Sequence, residues 1–351
     1  MYDAIIIGSG FAGATTAYHL SRYPQLKVLV LEQEDSYGMH ASGKNAAMLR
    51  QGVADPQVAD WIQVTRSFLE EAPHLFKDTG SVLLGKAAKL TPLLEQLQRV
   101  GAPAQLFKKG VFPPELSEDL ISLLQGHPAE ACLYTPGDGV VDIHGFLTHL
   151  IEVAKDRGVE FEFGREVSDL KFLHDRWELE DGIRRWQSRT VVNGAGAWVT
   201  EIGRLAQVKG PELIPHRRHL CFSKEEGILP QEGPLVWDLD HELYFRPEAG
   251  GLLLSPGDED PHLPEEPMAD PAKMELLAKK LNQFFPRLEN ISVARMWACL
   301  RTKAKDGKMY IEQDHEKPSF FWVGGLGGHG VSASMGLGKA VAEKIRIYLG
   351  I

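Results

Sequence analysis

An arginine stands inside an otherwise apolar segment near the C-terminus. Arg301 belongs to the run 297–302 (WACLRT), which reads as a strand. A guanidinium is permanently charged and can form two parallel hydrogen bonds with a carboxylate. Because an unpaired buried charge is costly, we expect Arg301 to bind a carboxylate, either on a substrate or on an acidic side chain of the protein. Tyr244, in the run 243–245 (LYF), is a second candidate for such a site, or a core aromatic.

A glycine pattern near the N-terminus predicts a dinucleotide site. Gly8, Gly10 and Gly13 are spaced as G-x-G-x-x-G between an apolar run and a helical segment. In this pattern the first glycine permits a tight turn, the second lets the backbone approach a pyrophosphate, and the third allows close helix–strand packing. The helix N-terminus then offers N–H donors to the phosphates. Glu32 ends the next apolar run, where an acid accepts hydrogen bonds from the adenosine ribose.

Two further features favour FAD over a nicotinamide dinucleotide. The loop after Glu32 is long and continues as GMHASGKNAAM (38–48). A second glycine-rich segment, 324–332 (GGLGGHGVS), precedes the last helical segment. Its backbone N–H groups could hold the ribityl chain and the pyrimidine edge of a flavin, and stabilise negative charge on the reduced ring. An NAD-only dehydrogenase is the alternative.

The overall composition is that of a globular protein of about two domains. The chain has 351 residues, a formal net charge of −10, and three separated cysteines that form no C-x-x-C pair. The acidic balance argues against a nucleic-acid partner, and the cysteines predict neither disulfides nor a metal site. A cytoplasmic location is expected, with peripheral membrane association left open. The segment 256–271, with six acids and no Lys or Arg, predicts a solvated loop.

The hydrophobic pattern predicts the elements that must hold these groups. Strand 2–7, helix 14–22 and strand 27–31 form a βαβ unit, which starts a buried parallel sheet. From 213 to 254 the pattern is mostly strands, and the chain ends in a helix at 339–349. The predicted class is therefore α/β with an additional strand-rich part.

Taken together, the sequence resembles the FAD-dependent amino-acid and amine oxidoreductases related to D-amino acid oxidase, glycine oxidase and sarcosine oxidase. The resemblance is greatest to the bacterial D-arginine dehydrogenase type. It rests on IIIGSGFAGATTAYHL, VLVLEQE, GMHASGKNAAM, VVNGAGAW, HRRHLCF, ELYFRPEAGGLLLSP, CLRT and FFWVGGLGGHGVSASMGLGKA, in the family's order. It implies a Rossmann-like FAD-binding domain from residues 1–52, 140–210 and 295–351. An α+β substrate domain with a mainly antiparallel sheet, from 53–139 and 211–294, would be interleaved with it.

The resemblance also implies which residues bind the cofactor. They come from the N-terminal turn, the loop after the second strand, a backbone contact to adenine, the turn near 195 and the C-terminal glycine segment. In order they are Gly8, Gly10, Phe11, Ala12, Gly13, Glu32, Gln33, His40, Ala41, Ser42, Gly43, Asn45, Ala46, Ala47, Met48, Val167, Gly194, Ala195, Gly196, Trp198, Arg301, Gly327, Gly328, His329, Gly330, Val331 and Ser332.

The resemblance implies a substrate site as well. Arg301 matches the arginine that binds the substrate carboxylate, and Tyr244 matches the tyrosine that assists it, so both are the predicted catalytic residues. Arg218, or its neighbour Arg217, lies on a strand expected to face the same pocket.

Three positions bear on the finer assignment. Met48 and Val53 stand where the D-arginine dehydrogenase type has a histidine and a tyrosine, which predicts a less polar pocket and puts arginine as a substrate in doubt. Cys299 stands where sarcosine oxidase relatives attach FAD covalently. A buried free thiol is the commoner role for such a cysteine, so non-covalent FAD is expected.

The implied reaction is the oxidation of an amino acid or a secondary amine. Hydride would pass from the α-carbon to flavin N5, and the imine would hydrolyse. The electron acceptor, whether oxygen, a quinone or a carrier protein, is left open. One alternative is a 2-hydroxy-acid or glycerol-3-phosphate dehydrogenase on the same fold, which would need a base such as His329 or His40. Another is a flavin-binding subunit without its own catalysis.

Overall fold

The computed structural model describes residues 1–224, 227 and 229–351. Residues 225, 226 and 228, which belong to the predicted substrate-domain segment 211–294, lie outside the described residues. The strands that it describes are β1 (Tyr2–Ile7), β2 (Val28–Leu31), β3 (Met48–Leu49), β4 (Phe76–Asp78), β5 (Ser81–Gly85), β6 (Gln105–Lys108), β7 (Ala131–Thr135), β8 (Gly139–Val141), β9 (Glu160–Glu162), β10 (Asp169–Leu173), β11 (Arg176–Glu180), β12 (Arg185–Asn193), β13 (Leu213–Ser223), β14 (Leu235–Asp238), β15 (Leu243–Glu248), β16 (Gly251–Ser255), β17 (Asp260–Pro261), β18 (Val293–Ala304), β19 (Tyr310–Gln313) and β20 (Phe320–Gly324).

Helices alternate with these strands along the chain. They are α1 (Phe11–Leu20), α2 (Pro56–Glu70), α3 (Ala87–Arg99), α4 (Glu118–Leu124), α5 (Ile143–Asp156), α6 (Val199–Leu205), α7 (Ala272–Phe284) and α8 (Ser334–Leu349). None of the helices in the described part of the chain is long and apolar enough to cross a lipid bilayer.

The first sheet is built around five parallel strands. Their order is β9-β2-β1-β12-β20, and the strands β10, β11 and β19 extend the sheet with antiparallel pairs. In the register, Ile6 lies between Val30 of β2 and Val192 of β12. All three are fully buried or nearly so, as expected for a parallel sheet covered on both faces. The predicted Rossmann-like α/β fold is confirmed.

Three helices pack together on one side of this sheet. All ten residues of α1 are buried, and a Cβ at Gly338 of α8 would lie 2.5 Å from Thr15, so α1 and α8 pack backbone to backbone. The Met335 N–H donates to Thr65 Oγ1 of α2 at 3.1 Å. Helix α2 therefore packs with the helices of the first sheet, although the sequence assigns residues 53–139 to the other domain.

The second sheet is mainly antiparallel, as predicted. Its order is β17-β13-β16-β15-β14-β5-β7-β6, with β18 on the other side of β13, and its one parallel pair among the described strands is β14 with β5. Strand β18 pairs with β13 over most of its length and sets Arg301 opposite His216. The predicted domain boundary at 295 thus runs through a strand of this sheet. The domain division itself stays a prediction.

The acidic segment 256–271 is a largely exposed loop, as predicted, but it is also bonded to the rest of the protein. Its short strand β17 pairs with β13, and its carboxylates form ion pairs with groups on neighbouring elements. The pairs are Asp258 with His219, Glu259 with Arg218 and Lys303, Asp260 with Lys273, Glu266 with Lys44 and His40, and Asp270 with Arg217. The partners are basic residues distant in sequence, which local composition does not reveal.

Candidate functional site

Two adjoining cavities, the two halves of one candidate site, lie between the two sheets. One half reaches Glu32 and Val167 at the first sheet, and the other half reaches Tyr244 and Arg301 at the second. The two halves share several lining residues, namely Gly10, Ala41, Ser42, Gly194, Gly196, Ala197, Cys299 and Leu300. The cavity is therefore shaped for an elongated ligand with chemically different ends.

The N-terminal glycines leave bare backbone at the centre of this cavity. Gly8 has a φ of +99°, and a Cβ there would lie 2.7 Å from the Gly194 carbonyl oxygen. A Cβ at Gly10 would lie 2.8 Å from Ser42 Oγ. At Gly13, within α1, a Cβ would lie 1.9 Å from the Gly8 oxygen, so that glycine serves helix–strand packing. Close approach of a pyrophosphate to the start of α1 fits this geometry.

Glu32 occupies the end of β2 as a fixed carboxylate. Its Oε2 accepts hydrogen bonds from the Ser9 N–H and the Ser9 hydroxyl, each at 2.7 Å. Its Oε1 accepts from the Glu34 N–H at 3.1 Å. The side chain is only 8% exposed, and it lines the cavity. A carboxylate held in this way can accept hydrogen bonds from ribose hydroxyls, as the sequence predicts.

The C-terminal glycine segment forms another wall of the cavity. Gly327 has a φ of +52°, and its N–H donates to the Thr302 carbonyl at 2.9 Å. At the next position, a Cβ on Gly328 would lie 3.4 Å from Arg301 Nη1. The segment thus joins the end of β20 to the start of α8 and lies directly against the guanidinium of β18.

Arg301 and Tyr244 form a pair at the far end of the cavity. Arg301 Nη2 donates a hydrogen bond to the Tyr244 hydroxyl oxygen at 3.1 Å. Tyr244 lies opposite Trp237 in the β14–β15 register, with ring centroids 5.1 Å apart. Since neither residue of the pair forms an ion pair with a carboxylate among the described residues, the guanidinium remains available to an anionic ligand.

Arg50 is a functional candidate that the sequence reasoning missed. Its guanidinium lies 4.3 Å from the Trp237 ring centroid, and its Nη2 donates to His329 Nε2 at 2.9 Å. Its backbone N–H donates to Ser332 Oγ at 3.0 Å. Side chains alternate along extended backbone, so Met48, which lines the same cavity, and Arg50 share a side. That alternation is the signal that could have found Arg50.

The two candidate histidines are not free bases at this end. Burial, reinforced by the charges of Arg50 and Arg301, lowers the pKa of His329 to about 3. Its Nε2 lone pair accepts the hydrogen bond from Arg50, so the ring is neutral. His40 lies at the other end, where its Nε2 is 2.8 Å from Glu34 Oε1 and its ring packs on Trp198.

Most of the predicted site residues line this cavity. They are Gly8, Gly10, Phe11, Ala12, Glu32, Gln33, His40, Ala41, Ser42, Asn45, Ala46, Met48, Val167, Gly194, Ala195, Gly196, Trp198, Tyr244, Arg301, Gly327, Gly328, Gly330 and Val331. His329 and Ser332 adjoin it through their hydrogen bonds to Arg50. Gly43 and Ala47 instead border a groove on the outer side of their loop.

Two predicted substrate residues do not line the cavity. Val53 is 6% exposed and packs in the apolar cluster that contains Phe11 and Ile62. Arg218 is 1% exposed, and its Nη2 donates to Glu259. Both expectations are therefore corrected. Val53 is packed in the core, and Arg218 forms an ion pair with a side chain of the protein.

Cys299 lines both halves of the cavity as a buried thiol. Burial raises the pKa of Cys299 above its ordinary value. Because the thiolate is the nucleophilic form, this environment disfavours attack by the sulfur. Non-covalent attachment stays the prediction.

Comparison with known proteins gives a family and a fold. A family model described as "DAO: FAD dependent oxidoreductase" matches residues 3–344. The chain is 27% identical over 264 residues to dimethylglycine dehydrogenase, mitochondrial, of Homo sapiens. The matched region covers 72% of this chain but only 30% of that protein.

Two solved structures are similar over nearly the whole chain. L-proline dehydrogenase from P. horikoshii has a TM-score of 0.85 at 20% identity, covering 99% of this chain and 94% of that one. L-alpha-glycerophosphate oxidase from Mycoplasma pneumoniae has a TM-score of 0.83 at 18% identity, covering 98% and 94%. At these identities the likeness establishes the fold alone.

Proposed function

The chain belongs to the DAO family of FAD-dependent oxidoreductases, and from that premise we propose that it oxidises an amino acid or a secondary amine at the carbon next to nitrogen. The family match confirms the prediction of FAD as cofactor. The finer resemblance to D-arginine dehydrogenase and the cytoplasmic location stay predictions, and the electron acceptor stays open.

The described residues fit FAD along the whole cavity. Glu32 would hold the adenosine ribose, the bare backbone at Gly8 and Gly10 would face the pyrophosphate, and the segment around Gly328 would adjoin the flavin. When bound there, FAD supplies the two-electron acceptor for the hydride that leaves the substrate carbon. The protein's own side chains would position the substrate and balance its charge.

The Arg301–Tyr244 pair is the observation that carries the proposal. A half-buried guanidinium that has no carboxylate partner among the described residues favours an anionic ligand, and its position beside Gly328 would hold a carboxylate near the flavin segment. Binding the carboxylate of an amino acid there fixes the orientation of its α-carbon, and positioning of this kind lowers the barrier substantially. Tyr244 would add a hydrogen bond to the same carboxylate.

The lack of a free histidine base among the described residues near the glycine segment favours an amine over an alcohol. A hydroxyl group needs a base to accept its proton, whereas an amine with its lone pair free can expel hydride directly. Among the described histidines near the glycine segment, His329 is neutral and accepts a hydrogen bond from Arg50. The amine would lose its proton to water on binding, and the imine product would hydrolyse to a carbonyl compound and an amine or ammonia.

The test is anaerobic reduction of the purified FAD-loaded protein. D- and L-amino acids, glycine, sarcosine and dimethylglycine are mixed with it, and the flavin absorbance is followed. We expect bleaching with at least one amine and none with the matching 2-hydroxy acids or glycerol 3-phosphate. Bleaching by a hydroxy compound alone would contradict the proposal and favour a 2-hydroxy-acid or glycerol-3-phosphate dehydrogenase.

A further inference from the structure

We propose that the substrate carries a second negatively charged group and that Arg50 binds it. The substrate class would be an amino acid or N-substituted glycine with two acidic groups. This inference rests on the proposed function, because it names the substrate of the same site. It assigns a specificity role to a residue that lies outside the Arg301–Tyr244 pair.

Arg50 is a buried cation that has no acidic hydrogen-bond or ion-pair partner among the described residues. The residue is 8% exposed and lines the cavity. Its guanidinium contacts are the face of Trp237 and the neutral ring nitrogen of His329. Neither contact supplies a negative charge, and an ion of this kind is costly to bury uncompensated. Burial, opposed by the charge of Asp138 and reinforced by that of Arg301, lowers the pKa of Arg50 to about 10, so it is charged at neutral pH.

Two acids, Asp138 and Glu242, act on Arg50 through their charges, and the stronger of the two, Asp138, is already used by other groups. Asp138 accepts hydrogen bonds from the Gln51 N–H at 2.9 Å and from the Ser81 hydroxyl at 2.6 Å. It forms no ion pair with Arg50. Burial also raises the pKa of Asp138 to about 6, despite those hydrogen bonds and the charge of Arg50. The positive charge of Arg50 is therefore only partly balanced by the protein.

The two arginines line the same half of the cavity, each beside a different aromatic side chain. Arg50 lies on the face of Trp237, and Arg301 is hydrogen-bonded to Tyr244. The two aromatic rings are neighbours across β14 and β15, with centroids 5.1 Å apart. The cavity thus presents two cations, each beside a different ring of one aromatic pair. Two anionic groups on one small molecule would match these two cations better than a single carboxylate shared by both.

The first experiment compares matched ligands on the FAD-loaded enzyme. Sarcosine is paired with iminodiacetate, and alanine with aspartate in both configurations, so that each pair differs by one carboxylate. Anaerobic flavin reduction gives a rate constant and a dissociation constant for each. We expect the ratio of the rate constant to the dissociation constant to be about 30-fold or more higher for a dicarboxylate than for its monocarboxylate partner. The reason is that a charged hydrogen bond contributes roughly 10- to 100-fold to binding.

The second experiment uses variants of Arg50. Arg50→Met should remove the preference for the dicarboxylate, while the ratio of rate constant to dissociation constant for the monocarboxylate changes less than about 3-fold. Arg50→Lys should restore part of the preference. Arg185→Met, which removes a charge from a side chain that is 75% exposed, is the control. An equal loss for both ligand classes, or a changed flavin midpoint potential in Arg50→Met, would show that Arg50 serves the fold or the cofactor and would overturn the inference.

A third measurement separates this inference from the proposed function. Succinate and propionate are titrated against the flavin absorbance, which reports binding without turnover. Tighter, Arg50-dependent binding of succinate supports a dianionic ligand even if no amine reduces the flavin, in which case only the amine proposal fails. Equal binding of the two acids by the wild-type enzyme contradicts the inference, whatever the variants do.

Discussion

Tyr244 and Arg301 come from different strands of the second sheet, yet the guanidinium Nη2 donates to the phenol oxygen at 3.1 Å. Tyr244 is on β15 and Arg301 on β18, with β16 and β13 between them. The curvature of the sheet therefore brings the two polar groups together over the cavity. This contact, and not the position of either residue in the sequence, marks the proposed substrate end of the cavity.

The first prediction concerns this pair. Arg301→Met should lower the ratio of the reduction rate constant to the substrate dissociation constant by about 100-fold or more, because the charged partner of the carboxylate is lost. Tyr244→Phe should lower it by roughly 10-fold, because one hydrogen bond is lost. Stopped-flow flavin reduction measures both. A loss confined to FAD content, with unchanged substrate affinity, would count against a substrate role.

Glu32 should determine how tightly FAD is held. Glu32→Ala removes a carboxylate whose Oε2 is fixed by Ser9, so we expect the dissociation constant for FAD to rise by about 10- to 100-fold. Fluorescence titration of the apoprotein measures it. Glu95→Ala, at an exposed site on α3, is the matched control. Unchanged FAD affinity in Glu32→Ala would refute the assigned contact.

The acidic segment should slow the release of FAD. Glu266 forms ion pairs with Lys44 and His40, and it lines the adenosine half of the cavity. Because Glu266 is exposed, its pairs are weak, and Glu266→Gln should speed FAD release only about 2- to 5-fold. The difference should shrink at high salt, which screens exposed charges. A difference that persists in 1 M salt would contradict an electrostatic cause.

His329 should not act as a base. Its pKa is lowered by burial to about 3, so between pH 5 and pH 8 the folded protein keeps it neutral and it contributes no titration to the rate. His329→Asn should change the limiting reduction rate by less than about 5-fold and leave the pH profile unshifted. Loss of a general base would instead cost about 100-fold or more, and that outcome would favour the hydroxy-acid alternative.

FAD should be released when the protein is unfolded. Burial raises the pKa of Cys299, which disfavours the thiolate needed for a covalent bond. Acid precipitation should leave a colourless pellet and yellow supernatant, both for the wild type and for Cys299→Ala. Colour retained in the wild-type pellet but lost from that of the variant would establish a covalent link.

Local sequence determined the cofactor end of this protein. The spacing of Gly8, Gly10 and Gly13 specifies a turn with bare backbone at its glycine positions, and Glu32 follows at the end of the next strand. Both features depend on neighbours within one βαβ unit, so short-range pattern is sufficient to predict them. The same holds for the glycine segment before α8.

Only the tertiary structure decided the substrate end. Arg218 looked like a pocket residue, but Glu259 from a distant segment pairs with it. Arg50 was not predicted as a site residue, yet its guanidinium contacts Trp237 and His329 at the cavity. Whether a charged side chain binds a ligand or the protein depends on which groups the folded chain brings beside it. Those partners lie many residues away, and composition and periodicity carry no information about them.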